Sequence, residues 1–232
     1  MPDEEIYEKL RQVLDKHPTG CVSSPEIYEI LKILFTEEEA KVAICMNFVP
    51  KSVKWISERA GIPEEEVKIR LESLADKGII YAREKEGEWR YALLPVMPGI
   101  FEFPYMKGKK TELLEKLTPL WKSYLPKLSK EFGTSSTSFS RIIPIQEEIK
   151  NIPGILTYEM VYELIDKAKT TGIAHCACRE VEEKCDAPRE SCMIFDETCD
   201  FLVKRGFARY ITKEEMKEKL KEFDKIGLVL MF

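Results

Sequence analysis

The chain has 232 residues, 44% hydrophobic and 33% charged, enough for one large domain or two small ones with a real core. Its 36 Lys and Arg stand against 41 Asp and Glu, a net charge of −5, which argues against non-specific nucleic-acid binding, a mode that needs a basic surface. No apolar run nears the roughly 20 residues of a membrane-crossing helix, and the acidic start Met1-Pro2-Asp3-Glu4-Glu5 is unlike a signal peptide; a cytoplasmic protein with no membrane partner is expected.

The first elements read as helices. Ile6, Leu10, Val13 and Leu14 form one apolar stripe, and Ile27, Ile30, Leu31 and Leu34 repeat it after a loop at His17–Gly20. Ser24 followed by Pro25 predicts a side-chain cap with proline in the first turn. Thr36-Glu37-Glu38-Glu39 predicts a capping box opening a helix to about Asn47. Val53, Ile56 and Ala60 line a short helix ended by Gly61, and Glu64 to Gly78 a third, with Val67, Leu71, Leu74 and Ala75 inward. Ile79–Arg83 and Trp89–Leu93 flank a polar turn at Lys85–Glu88 and read as a hairpin. Three helices and a hairpin over Thr36 to Pro95 resemble a winged helix-turn-helix.

Beyond Gly99 the pattern weakens. The aromatic-rich run Phe101-Glu102-Phe103-Pro104-Tyr105 is read as core, with a partner surface as the other option. Thr111 to Phe132 is helical in period, but Pro119 and Pro126 predict short pieces. Gly133 to Ser138 reads as a flexible connector. A strand at Arg141–Ile145 and a helix on Val161, Leu164, Ile165 and Ala168 follow. A second capping box at Thr212–Glu215 opens the last helix, before an apolar end at Gly227–Leu230.

The chemistry concentrates in cysteine. Only two histidines occur, His17 and His175, which leaves little for histidine triads or His-rich metal sites. Of seven cysteines, Cys176, Cys178, Cys185, Cys192 and Cys199 fall within 24 positions; in a reducing compartment this points to metal or redox chemistry before disulfides. The ligand pattern is C-x-C-x6-C-x6-C, and polar residues around Pro188 suggest that loops supply the sulfurs. Four thiolates suit a tetrahedral zinc or a [4Fe–4S] cubane, and the spacing alone selects neither. His175, Arg179, Lys184 and Arg189 lie close in sequence and would offset the charge of a reduced cluster. Cys199 reads as an alternate ligand or a buried thiol, and Cys21 and Cys45 as packing residues.

C-x-C-R, then C-D-x-P-x-E-x-C and Phe195, Arg205-Gly206-Phe207-Ala208-Arg209, Ile211-Thr212-Lys213-Glu214-Glu215 and Gly227-Leu228-Val229 resemble a family of bacterial and archaeal 4Fe-4S ferredoxin-type proteins with a winged-helix-like N-terminal region. The resemblance spans most of the chain. It implies one [4Fe–4S] cluster on Cys176, Cys178, Cys185 and Cys192, and electron transfer with an unnamed reaction. Longer members continue beyond the G-L-V segment into further ferredoxin motifs, whereas this sequence stops at Phe232: the relay clusters are lost, sit on a partner, or belong to a longer chain, which leaves a multi-cluster wire open.

The expectation is therefore a mainly α-helical α+β protein: N-terminal helices over 1–35, a winged-helix-like domain over 36–98, a helical connector and linker over 99–140, and a small Cys-rich α/β cluster domain over 141–232. It has no catalytic residues of its own. It exchanges single electrons with a redox partner protein docked on the winged helix, and a homodimer is compatible with the sequence. Two alternatives stand beside this: a redox- or iron-sensing DNA-binding regulator, and a zinc-stabilised interaction protein. DNA is disfavoured because the third helix carries Glu64, Glu65, Glu66, Glu72 and Asp76 against Lys68, Arg70 and Lys77. Three acids in its first turn also suit the helix dipole, an ordinary structural role.

Overall fold

The computed structural model describes residues 2–132, 142–143, 158–228 and 230–231. The chain is mixed α+β and mainly helical. Helices α1 (Pro2–Leu14) and α2 (Pro25–Leu34) bury Tyr7, Leu10, Leu14, Ile27, Ile30, Leu31 and Leu34, as their periodicity predicts. Pro25 stands in the first turn of α2, but the Ser24 hydroxyl makes no cap bond. Helix α3 (Glu37–Ile44) opens on the full capping box: Glu39 N–H donates to Thr36 Oγ1 (3.2 Å), and Thr36 N–H donates to Glu39 Oε2 (2.8 Å).

Glu39 does more than cap. Its buried carboxylate also accepts from Lys77 Nζ (2.6 Å) and Ser73 Oγ (2.8 Å), which ties α3 to the end of the Glu64–Asp76 helix. Burial opposes ionisation here, yet the bonds from Lys77, the Thr36 backbone and Ser73 outweigh it and hold the carboxyl below its ordinary value. A depressed folded value contributes stability above the ordinary carboxylate range, and that contribution fades as pH falls through the folded value. Glu39→Gln is expected to cost about 2 kcal/mol at pH 7. The gap from wild type should narrow toward acid pH in urea unfolding; a pH-independent gap would contradict the charged role.

The next elements follow in the order β1 (Lys51–Ser52), α4 (Val53–Ala60), α5 (Glu64–Asp76), β2 (Ile80–Lys85) and β3 (Glu88–Leu93). Gly61 ends α4 in the left-handed region at φ +65°. The hairpin turn is two residues, Glu86 and Gly87, both at positive φ, the form whose twist matches the flanking strands. The sheet order is β1-β3-β2, so the two-residue β1, too short to read from sequence, pairs with the returning arm. Phe101, Phe103 and Tyr105 are buried, as expected for core.

Helix α6 (Glu112–Phe132) corrects the expectation of broken pieces: it runs continuously through Pro119 and Pro126. Leu114, Leu117, Trp121, Tyr124 and Leu128 form a continuous buried stripe, and α6 packs along α2. The two prolines stand seven residues apart on the opposite, exposed side, where the carbonyls they leave unpaired can bond water. Packing energy on one face outweighs two lost backbone bonds on the other.

The expected connector Gly133–Ser138 lies outside the described residues. Of the strand expected at Arg141–Ile145, β4 (Ile142–Ile143) is described, and it pairs antiparallel with β8 (Leu230–Met231) near the apolar end. Between them come α7 (Tyr158–Lys167), β5 (Thr171–His175), α8 (Ala177–Glu182), β6 (Glu190–Phe195), α9 (Asp196–Lys204), β7 (Ala208–Tyr210) and α10 (Lys213–Lys225). Strands β5, β6 and β7 form an antiparallel sheet with β5 central. The second capping box is half made: Thr212 Oγ1 accepts from Glu215 N–H (3.0 Å), while the Glu215 carboxylate is taken by Arg209 (3.1 Å).

One buried cluster runs from Tyr7 in α1 to Phe207 and takes in Ala174, Ala177, Val181, Ile194, Cys199, Phe201 and Leu202. A smaller cluster joins α7 and α10 through Val161, Ile165, Met216, Leu220 and Phe223. The cysteine-bearing elements thus share a core with the N-terminal helices. Phe201 of α9 stacks edge-on against Tyr81 of β2 at 5.1 Å, Arg83 pairs with Glu197, and Arg205 reaches Glu72 (2.8 Å) and Asp76 (2.5 Å) on α5. Gly78, at φ +75°, leaves room for Phe207, whose ring would lie 2.8 Å from a Cβ there. Among the described residues no helix is long and apolar enough to cross a membrane.

Candidate metal centre

Regular elements, not loops, carry most of the clustered cysteines, which corrects the loop reading drawn from Pro188. Cys176 caps the start of α8, Cys178 lies in its first turn, and Cys192 sits on β6 opposite Ala174 of β5. The hydrogen-bonding needs of β5 explain this: its central position fixes the backbone up to His175, and α8 starts directly after it. Cys176 N–H donates to the Arg189 carbonyl (2.7 Å), which closes the loop between α8 and β6.

The Cys176 and Cys178 thiols, at the start of α8, influence each other's ionisation. Cys178, the backbone N–H groups of Arg179 and Cys178, and the Arg179 charge together outweigh burial and hold the Cys176 thiol below its ordinary value. The neighbouring Cys176 and nearby negative charge push Cys178 up, although this side chain is exposed. Cys192 is pushed up to about 12 by burial and by the charges of Cys176 and Glu102. Among the described residues, no group of three or more His, Cys, Asp or Glu side chains is placed where it could hold a metal ion. Cys176, Cys178 and Cys192 are electrostatic neighbours, and the donor chemistry suits a soft metal or an iron–sulfur cluster.

Cys185, the fourth expected ligand, is exposed in the loop after α8 and makes no hydrogen bond to the other cysteines. Cys199 is buried in α9 against Gly172, toward the other end of β5, and is not among the three. His175 turns its Nε2 to Glu180 (3.0 Å) instead of a sulfur. Arg179 reaches the Pro188 carbonyl (2.8 Å) and Ser191 Oγ (2.6 Å), and the Arg189 guanidinium donates back to the Arg179 carbonyl. The two arginines therefore clamp the loop on α8, and Arg179 also places positive charge near Cys176. Cys21 is buried, accepts from Tyr124 Oη (3.9 Å), and is pushed up to about 12 by burial; Cys45 donates to the Arg59 carbonyl (3.6 Å).

The sequence reading missed Glu102. This carboxylate enters from the aromatic segment, accepts from Gly99 N–H (2.6 Å), and is raised to about 7, chiefly by burial. A lone acid between Phe101 and Phe103, in an otherwise apolar run, was the signal that could have marked it.

A cavity of about 330 Å³ lies beside α8, lined by Tyr105, Thr118, Lys110, Lys122, Glu180 and Glu183 among others. It touches Glu180 but none of the cysteines. Compared with protein-family models, with curated proteins and with solved structures, the chain matches none.

Proposed function

We propose that this protein holds a cysteine-ligated metal centre, a [4Fe–4S] cluster expected on Cys176, Cys178, Cys185 and Cys192, and passes single electrons to or from a partner protein. The observation that carries the reading is the placement of Cys176 and Cys178 at the start of α8 and of Cys192 on the strand beside β5, with Arg179 near Cys176. Cys178 is exposed, so a centre there would lie near the surface, where electrons can reach a partner. A bound cluster would supply the redox change; the protein's residues bind it, set its charge environment and limit water.

The helix–strand–helix–helix–hairpin order over 36–98, with β1 pairing to β3, supports reading this region as a winged helix. Its role is then a platform. The outer side of β2 receives α9, Arg83 is paired with Glu197, and Arg90 is paired with Glu88 (3.0 Å). The start of α5 offers Glu64, Glu65 and Glu66, which repel phosphates. Nothing here favours the DNA-binding alternative.

The test is an absorption spectrum of protein purified without oxygen, with iron, acid-labile sulfide and zinc assayed on the same sample. About four irons and four sulfides per chain are expected, and Cys178→Ala should lose the chromophore. A colourless protein with about one zinc per chain would replace electron transfer by a structural role.

A further inference from the structure

The cavity of about 330 Å³ beside α8 is walled by the first half of α6 and by the turn that precedes it. Tyr105, almost wholly buried, forms its floor. The Tyr105 hydroxyl lies 3.1 Å from Thr118 Oγ1, and Thr118 Oγ1 in turn donates its one hydrogen to the Leu114 carbonyl (2.7 Å). Tyr105 is therefore the donor in the first bond, and its oxygen keeps acceptor capacity at the cavity floor.

Pro119 supplies a second acceptor. A proline within a helix has no N–H for the carbonyl four residues earlier, here that of Glu115, and both residues line the cavity. The charges around the opening divide into two groups. Lys122 stands 3.9 Å from Glu183, and Glu180 takes His175 Nε2 at 3.0 Å. Lys110 and the Glu115 carboxylate line the same cavity, yet neither pairs with the other or with any other described residue. A free cation, a free carboxylate and two uncharged acceptors, set around the apolar Leu114 and Pro119, match a small molecule with both charges and an apolar body. An anion alone leaves the Glu115 carboxylate and carbonyl unanswered, and an amine alone leaves Lys110 unanswered.

We infer that this cavity binds a free amino acid with an apolar side chain. Its carboxylate pairs with Lys110, its ammonium is held by Glu115 and the acceptors beside it, and its side chain lies on Leu114, Pro119 and the Tyr105 ring. None of the cysteines takes part, so the site stands or falls separately from the metal centre.

The test titrates L-leucine against the full chain by saturation-transfer NMR. Two truncated probes run beside it: 3-methylbutylamine, which lacks the carboxylate, and 4-methylpentanoate, which lacks the ammonium. L-leucine is expected to bind saturably, and each truncated probe about tenfold more weakly for the loss of one charge-assisted contact. Lys110→Ala, at an exposed position, should weaken L-leucine and 4-methylpentanoate by about tenfold and leave 3-methylbutylamine unchanged. Pro119→Ala gives the Glu115 carbonyl a helical N–H partner. It should keep or raise the thermal unfolding midpoint while weakening L-leucine and 3-methylbutylamine, a combination that a folding defect does not produce. Absence of saturable L-leucine binding at millimolar concentration would overturn the site. So would a truncated probe that binds as tightly as L-leucine, or affinities that neither variant moves.

Discussion

Phe201→Ala is expected to destabilise the whole protein by about 3 kcal/mol. The ring is buried in α9, stacks edge-on against Tyr81 at 5.1 Å, and lies 6.2 Å from Phe103. Truncation removes these aromatic contacts and leaves a cavity between the two parts of the chain. The prediction has a built-in reporter. All three tryptophans, Trp55, Trp89 and Trp121, lie in the N-terminal part, far in sequence from residue 201. If both parts unfold as one unit, the tryptophan transition in urea shifts to lower concentration together with the circular dichroism transition. A tryptophan midpoint that stays unmoved while the helical signal splits would mean that the shared core is not cooperative.

Gly172→Ala is expected to cost about 2–3 kcal/mol through overpacking. A Cβ at this position would stand 2.6 Å from Cys199 Sγ and 2.9 Å from the Arg209 carbonyl oxygen. The first neighbour is a side chain that can be removed. The second is backbone of β7, which cannot move without disturbing the sheet. Adding Cys199→Ala to Gly172→Ala should therefore recover part of the loss and not all of it, a coupling that a double-mutant cycle measures directly. A change below about 0.5 kcal/mol for Gly172→Ala would show that the sheet relaxes more easily than the close approach implies. The same variant probes the centre, because β5 runs from Gly172 into His175 and Cys176.

These two positions also show why Cys199 could not be separated from the other cysteines by sequence. In spacing it continues the series, seven residues after Cys192. In space it lies against the other end of β5, because α9 starts at Asp196 and packs back on the strand. Proximity along the chain is converted to proximity in space only where the backbone does not turn away, and here it turns. Cys185 is a similar case: its spacing matches that of its neighbours, but the loop clamped by Arg179 and Arg189 leaves it exposed.

The sequence by itself determined the local features, because short-range physics decides them. The capping box at Thr36, the helix end at Gly61, the hairpin between β2 and β3, and the apolar stripes of α1, α2 and α5 each depend on residues a few positions apart. It also singled out the cysteine-rich stretch from Cys176 to Cys199. Only the tertiary structure decided the rest. A continuous α6 required the energy of a buried stripe against α2, which no local propensity for Pro119 and Pro126 contains. The two-residue β1 exists because β3 returns beside it, and the join of α9 to β2 pairs residues more than a hundred positions apart.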